Sequence, residues 1–564
     1  MKLDDAIRKH ALQNAVAFGG KANAGAVIGR VISENPDMKS KVKEISKDVQ
    51  RIVGEVNKLS VKKQEEALKK IAPGIQEHKK TIKRKELPEL ENAKPGNVVM
   101  RFEPSPSGPL HIGHAYTLSL NSELCRKYKG KLILRIADTN PENINKPSYE
   151  MIPKDAEWVT KGNVWETFVQ SDRMEIYYQY AKELLEKGHA YVCTCAPEAF
   201  REAMLKQVPC QCRDIKNKEH LHRWSNMLGE WKEGSAVVRI KTNLKDRNPA
   251  MRDWPALRIK EAEHPRQGKK YRVWPLLNFA VAVDDHEMGI THTIRAKEHM
   301  DNEKRQKFIY DYMGWKIPQH LYIGRINFEG MRVSASQTRA LIEKKEYSGW
   351  DDIRLPFLEP LRRRGYQPDA FIKYALDVGV SQTDKVVSKD EFFKTLNAFN
   401  RQFIDSTAFR YFFIDKPQLI TIEKAPSQRI ELDLHPDNEK GGRLFNTNEQ
   451  FYVAKDDFNQ FSEKKLYRLM DCLNFTKKNN QFFFDSKPYS KFKEKGDSIV
   501  HWLPKEADLA HVEVRMPDGS VHSGLGEPML KTLKEGTVVQ LERFGFCRLD
   551  RKEPDKLVFW YAHK

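Results

Sequence analysis

Two histidines, His111 and His114, flank Gly113 at the end of the run Arg101-Phe102-Glu103-Pro104-Ser105-Pro106-Ser107-Gly108-Pro109-Leu110. On a helix, residues three apart share a face, so both imidazoles would point the same way. The prolines and Gly108 make a turn before that helix. Its first N–H groups are unpaired and carry partial positive charge, which suits a phosphate. Imidazoles placed there can stabilise charge building on a phosphate as a leaving group departs. Gly113 is expected to let a nucleotide come close to the backbone. A second cluster is Cys193-Thr194-Cys195, then fourteen residues, then Cys210-Gln211-Cys212. Four thiolates suit a tetrahedral zinc site, although the one-residue gap within each pair is tighter than the commoner two. The alternative is a reduced thiol cluster in a small packed lobe. Basic side chains gather at Arg362-Arg363-Arg364, around Lys206, Arg213, Lys216 and Lys218, and at Lys79–Lys85. They suit either a phosphate backbone or solvent.

The surrounding pattern says what must hold these groups. Val98–Phe102 reads as a buried strand, Ile112 to about Tyr128 as a helix, and Lys131–Ile136 as a second strand. Strand, turn, helix, strand opens a doubly wound sheet, with the His-Gly-His segment at its carboxyl edge. Upstream, residues 1–32 carry two helix-like pieces joined by a Gly-rich stretch from Phe18 to Gly25. From Lys39 to about Leu68 the residues Val42, Ile45, Val49, Ile52, Val56 and Leu59 recur every three or four positions, as on an amphipathic helix or part of a helical hairpin. The run Lys79–Lys85 reads as a linker. From about Asp405, short apolar runs such as Ile430–Leu434 and Val538–Phe544 alternate with polar turns, which suggests β-barrels.

The bulk numbers agree. A chain of 564 residues has room for several cores, four at about 150 residues each. Hydrophobic residues make up 40%, ordinary for a globular chain. No apolar run nears the roughly 20 residues needed to span a bilayer, and the N-terminus has no secretory pattern, so a cytoplasmic protein without a membrane partner is expected. The net charge of +19 points to a polyanion, for which nucleic acid is the usual candidate. Seven cysteines in a cytosolic chain do not suggest a disulfide framework.

The run from Arg101 to His114 resembles the nucleotide-binding signature of class I aminoacyl-tRNA synthetases of the glutamyl and glutaminyl subgroup. The resemblance continues through Leu134–Pro141, Asn278–His286, Gly289–His292, Arg295, Glu298-His299 and Trp350–Leu355. The segments Phe544–Asp550 and Phe559–Lys564, and the helical N-terminal extension, are similar to the archaeal glutamyl branch. It implies a multidomain α/β plus all-β protein. Residues 1–95 would be the helical extension and linker. A Rossmann-type catalytic domain would cover 96–345, with an acceptor-binding module inserted at about 190–270. A helical stem-contact region would follow at 346–404, then a β-barrel anticodon-binding domain at 405–564. The implied activity is glutamate–tRNA ligase: glutamate and ATP, with Mg²⁺, give glutamyl-adenylate, and the acyl group passes to the terminal adenosine of tRNA(Glu). Bound tRNA is expected to be needed for the first step. The implied state is a monomer, and tRNA(Gln) stays open as a second substrate.

Carried over residue by residue, the resemblance places His111, Gly113, His114, Arg332, Ser334, Ser336 and Arg339 at the ATP. Arg101, Ser105, Asp138, Trp274, Asn278 and Arg295 would line the amino-acid pocket, where Arg101 and Arg295 suit a side-chain carboxylate. Arg213, Arg362, Arg363 and Arg364 would meet tRNA, and Cys193, Cys195, Cys210 and Cys212 would hold zinc, as in some glutamyl members. Three positions depart from the pattern. Ala137 stands where an acidic residue usually holds the α-ammonium, with Asp138 or water as substitute. Leu277 stands where many members have Tyr. Gln337 stands at the Lys of the phosphate-gripping loop, so that Arg332 or Arg339 would supply the charge. These departures keep a tRNA-binding paralogue with weak or lost charging as an alternative, beside a glutaminyl enzyme. A short relative that glutamylates a modified tRNA base lacks the long region after Asp405.

Overall fold

Helices α1 (Leu3–Ala17), α2 (Ala24–Glu34), α3 (Val42–Asn57) and α4 (Val61–Ile71) make up the described part of the first of two units, Met1–Glu86 and Leu87–Lys564. The computed structural model describes residues 3–17, 20–34, 42–71 and 87–564. Ile7, Ala11, Leu12 and Ala15 of α1, Val27 and Val31 of α2, and Ile45, Val49, Ile52 and Val56 of α3 form one buried cluster. The amphipathic stretch from Lys39 to Leu68, expected as a helix or part of a helical hairpin, is two successive helices. The break follows from side chains that bond distant backbone: Asn57 exchanges hydrogen bonds with the N–H and carbonyl of Ala22, and Gln64 donates to the carbonyls of Val56 and Leu59 where α3 ends. The basic run Lys79–Lys85, and Phe18 and Gly19, lie outside the described residues.

In the second unit, β1 (Val99–Phe102), α5 (Ile112–Lys127), β2 (Lys131–Ile136), α6 (Ser148–Thr160) and β3 (Glu166–Val169) follow in order. β1, β2 and β3 are parallel, with Val99 opposite Lys131 and Ile133 opposite Glu166. Both faces of β2 are buried, which its near-continuous apolar run requires. An insertion comes next: α7 (Met174–Glu186), β4 (Ala190–Cys193), α8 (Pro197–Leu205), α9 (Asn217–Leu228), β5 (Val237–Ile240), β6 (Pro255–Ile259) and β7 (Val273–Pro275). β4 to β7 form an antiparallel sheet in chain order.

After it, α10 (Leu277–Glu287), β8 (His292–Ala296), α11 (Met300–Met313) and β9 (Gln319–Ile323) return to the first sheet. β8 and β9 pair in parallel, and Thr291 N–H donates to the Val99 carbonyl at 2.9 Å. The chain therefore winds to one side of β1 and comes back on the other. In open parallel sheets, the crevice outside the carboxyl ends of the strands at such a reversal is where ligands bind. Then come β10 (Ile326–Glu329), α12 (Ala335–Glu343), α13 (Leu358–Arg363), α14 (Pro368–Val378), β11 (Lys385–Ser388) and α15 (Lys389–Ile404). α14 packs on α5 and α15.

From Arg410 onward the chain is mostly strand. One seven-stranded sheet has Arg410–Tyr411 and Phe413–Asp415 as its edges, and Phe412 alone separates them in the chain. The edges of the other, Gly496–Val500 and Leu503–Pro504, are separated by His501 and Trp502. Each sheet must therefore curl until its two edges lie close together. Among the described residues, no helix is long and apolar enough to cross a membrane.

Candidate active site and cysteine cluster

α5 starts with a reciprocal cap. His111 is the N-cap residue, and its Nδ1 accepts the Gly113 N–H at 3.0 Å, while Nδ1 of His114 accepts the His111 N–H at 3.3 Å. Two backbone donors left open at the helix start are thereby satisfied. The rings stack with centroids 3.8 Å apart. An imidazole that accepts at Nδ1 is neutral with its proton on Nε2. Burial favours that state. It lowers the pKa of His114 to about 4, and lowers that of His111 well below the ordinary value, with the His114 neighbour adding to the effect. The helix start thus carries two Nε2–H donors. Asp155 accepts the Leu110 N–H at 3.2 Å and fixes the entry to the helix; burial pushes its carboxyl up to about 7.

Gly113 has a reason within the fold itself. A Cβ there would lie 2.9 Å from Cε1 of His111, so it is the imidazole folded over the backbone that excludes a side chain. Gly108 brings in the second loop. A Cβ at 108 would lie 2.9 Å from the Ala335 Cβ and 3.0 Å from the Trp350 ring. Arg339 donates to the Ser107 carbonyl at 2.6 Å. The start of α12, with Ser334 and Ser336 hydroxyls 3.3 Å apart, is thus held against the turn that leads into α5. Arg339 uses Nη2 for that contact, and its Nε is buried without a partner among the described residues. Arg332 is exposed and pairs with no carboxylate among the described residues.

Beside these helix starts lies a cavity of about 340 Å³, lined by Arg101, Glu103, Ser105, Ala137, Leu277, Arg295, Asn302, Gln306 and neighbours. Asp285, fully buried, organises it. It accepts from Arg101 Nε at 3.0 Å, Arg135 Nη2 at 2.7 Å and Arg295 Nη2 at 3.4 Å. Burial alone would raise the pKa of Asp285, but Arg101, Arg135 and Arg295 outweigh it and hold the carboxyl far below the carboxylate range. Burial, then Arg101, lowers the pKa of Arg295. Glu103 pairs with Arg135, and Asp284 with Arg173 at 2.8 Å. Four guanidiniums face three carboxylates, so the cluster carries one excess positive charge.

Three of the residues expected to line the amino-acid pocket do not line this cavity. Trp274 is fully buried in the core of the insertion and stacks on His264. Asp138 is buried and accepts from Ser171 N–H, Ser171 Oγ and Tyr149 Oη, at 2.8, 2.7 and 2.6 Å, so both of its oxygens are engaged away from the cavity. Asn278 stands behind the wall. It accepts from Gln306 Nε2 at 3.2 Å, and Gln306 in turn accepts from Arg295 at 2.8 Å. Glu103 and Asp285 were not singled out from sequence, and the pairing of Arg101 with Asp285 across 184 residues leaves no local signal.

The arginine triplet is a latch more than a surface. Arg364 as a tRNA contact is overturned: its guanidinium is buried and donates to the carbonyls of Tyr561 and Ala562, at 3.0 and 2.8 Å. Arg363 makes a fork to Asp550, at 2.9 and 2.7 Å, and stacks on Trp560. Arg362 pairs with Glu359. In the insertion, Arg213 bonds Asp253 and the Thr242 carbonyl, each at 2.8 Å.

The four cysteines do meet. Sγ of Cys193 and Cys210 are 4.0 Å apart, those of Cys195 and Cys212 are 3.7 Å apart, and Cys193, Cys195 and Cys210 lie mutually within 4.8 Å. Zinc–sulfur bonds of about 2.3 Å put tetrahedral sulfurs about 3.8 Å apart, so Cys193, Cys195 and Cys210 suit such a site, with Cys212 next to Cys195 as a candidate fourth donor. A hydrogen bond with Cys193 chiefly lowers the pKa of Cys210, to about 5; burial works against ionising Cys212, and Thr194 and Arg223 outweigh it.

Three family models match this chain. Residues 97–406 match the tRNA synthetases class I (E and Q) catalytic domain, and 408–483 and 499–550 match anti-codon binding domains of the same group. The glutamate–tRNA ligase of Methanothermobacter thermautotrophicus is 44% identical over 565 residues, covering 100% of both chains. Those of Pyrococcus abyssi and Methanocaldococcus jannaschii are 44% and 41% identical, again over 100% of both chains.

Proposed function

Because the chain belongs to the class I tRNA synthetases of the E and Q type, we propose, from that membership and its cavity, the reaction it carries out: it is a glutamate–tRNA ligase. An α-carboxylate oxygen of glutamate attacks the α-phosphorus of ATP, and the bond to pyrophosphate breaks. A ribose hydroxyl of the terminal adenosine of tRNA(Glu), the 2′ one by family resemblance, then attacks the acyl carbon, and AMP leaves. Mg²⁺ bound with ATP supplies charge compensation on the phosphates. His111 and His114 donate from Nε2 toward the charge that builds on the α-phosphate. Ser334 and Ser336 offer hydroxyls from the facing helix start, and Arg332 supplies the cation that Gln337 does not. Positioning and electrostatics do the work, with no protein nucleophile.

The observation that carries the amino-acid choice is Asp285 drawing Arg101 and Arg295 into one cavity with a single excess positive charge. Glutamate carries one net negative charge and its side-chain carboxylate accepts from guanidiniums. The amide of glutamine would turn donors toward them. In the same reading the enzyme works in the cytoplasm as a monomer, Arg213 and Arg362 lie along the path of the tRNA, and the four cysteines hold zinc that fixes the inserted module.

The test incubates purified protein with ATP, Mg²⁺ and total tRNA from a methanogen, with labelled glutamate and labelled glutamine in parallel. Incorporation of glutamate alone is expected. Glutamine alone would move the chain to the sister specificity. Neither, with tRNA still bound, would favour the paralogue reading that Ala137 and Gln337 suggest. Purified tRNA(Glu) and tRNA(Gln) then separate the two acceptors.

A further inference from the structure

Among the side chains that line the 340 Å³ cavity, one carries a carboxylate, and it is Glu103. Resting on the glutamate reading, we propose that Glu103 receives the α-ammonium group of the amino acid. The register of the sheet puts it there. Phe102 lies opposite Leu134, two residues before β2 ends, and the Ala137 N–H donates to the Pro104 carbonyl at 3.0 Å, so the chain after β1 runs beside the end of β2 and both Glu103 and Ala137 reach the same cavity. Ala137 offers a methyl group. The next residue, Asp138, is turned into its bonds with Ser171 and Tyr149. A substrate ammonium in this cavity therefore meets no other anionic side chain on the wall.

The carboxylate of Glu103 is fixed and still has capacity. Its Oε2 accepts from Arg135 Nη2 at 2.9 Å and lies 3.4 Å from Arg101 Nε, and its Oε1 accepts from Gln170 Nε2 at 3.2 Å. An ionised carboxylate has about four lone-pair sites, which leaves room for an ammonium N–H. Arg135 is fully buried and anchored by Asp285, so the group is held before any ligand arrives. Along the wall the order is Glu103, Arg101, Arg295, with Arg101 touching both Glu103 and Asp285, and Arg295 touching Asp285. Glutamate fits that order with its ammonium at Glu103 and its side-chain carboxylate at Arg101 and Arg295. The α-carboxylate is left to face the capped start of α5.

The test compares glutamate with glutarate, which keeps both carboxylates and lacks the ammonium. The KM for glutamate and the inhibition constant of glutarate are measured in the aminoacylation reaction with tRNA present. Glu103→Gln is expected to raise the glutamate KM roughly 10- to 100-fold. ATP and tRNA KM values should stay within about twofold, and the preference for glutamate over glutarate should fall by the same factor as glutamate affinity. Adding Ala137→Glu to E103Q returns a carboxylate from the adjacent strand end and should recover much of that preference. Equal weakening of glutamate and glutarate would overturn the proposal and leave Glu103 as a partner of Arg135 only, as would an unchanged glutamate KM. If E103Q does not fold, Glu103→Asp keeps the charge beside Arg135 but withdraws the carboxylate by one methylene; an unchanged glutamate-to-glutarate ratio in that variant counts against the role. Wild-type protein that incorporates glutamate while these variants keep their preference would reject Glu103 alone. Wild-type protein that does not incorporate glutamate would reject the function reading.

Discussion

At His111 and His114 one ring nitrogen caps the helix, and in the proposed reaction the other donates to the α-phosphate. Asparagine can imitate both halves, since its Oδ1 can take the backbone N–H and its amide can donate outward. His114→Ala should therefore lower the rate of pyrophosphate exchange roughly 10²- to 10³-fold, and His114→Asn should recover at least a tenfold of that loss. Equal losses in both variants would mean that the outward donor is irrelevant. The pH dependence has a definite sign. The folded pKa of His114, about 4, lies below its ordinary value of 6.5, so the stability tied to its neutral form is present above about 6.5 and lost as pH falls toward 4. At this scale the sequence disclosed the His-Gly-His constellation and the two cavity arginines. It misplaced Asp138 because successive residues in extended chain point to opposite sides. Ala137 takes the cavity side, so Asp138 must take the other, and the carboxylate that does face the cavity comes from the neighbouring strand.

Elements were legible where a periodic pattern is local. β1, α5 and β2 lie within a residue of where apolar spacing put them, because each buries residues dictated by its own repeat. The position of the break between α3 and α4 was not, since Asn57 and Gln64 act on backbone far away in sequence. Nor was the burial of Arg364, whose partners lie almost 200 residues downstream. The insertion shows how sparse pairs can hold a segment. Cys193 and Cys195 close β4, Cys210 and Cys212 precede α9, and α8 lies between them with only Met204 buried in its own length. Metal would tie that segment down. One zinc per chain is expected by elemental analysis of purified protein. Its removal by a chelator should lower the melting temperature by roughly 1 °C for each kcal/mol of binding lost in a chain of this length. Metal-free protein with a melting temperature indifferent to chelation would leave the reduced thiol cluster as the better account.

In the unit from Leu87 to Lys564, α13, the residue after it and α15 are tied to the strands Gly545–Lys552 and Leu557–His563. Arg363, Arg364 and Asn400 reach Asp550, the carbonyls of Tyr561 and Ala562, and His563. A bidentate guanidinium with a nearly buried carboxylate resists sliding as well as separation. Arg363→Ala should destabilise the protein by about 1–3 kcal/mol, since it leaves Asp550 without its fork. It should also raise the KM for tRNA while leaving that for glutamate in place. Thermal melts and steady-state kinetics check both; a tRNA KM that does not move would confine the latch to stability. The composition had announced a polyanion through its +19 charge. It did not say that many of those cations brace the protein, because pairing is a property of the folded chain.

The contact between Gly108 and Ala335 constrains how this sequence can change over generations. Neither position need touch a substrate, yet each limits the volume allowed at the other, because a methyl group at 108 already overlaps Ala335 and the Trp350 ring. A larger residue at 108 becomes tolerable only in a lineage where 335 and 350 have already made room. The same substitution would then be damaging in one ancestor and silent in another, and the order of arrival would decide which.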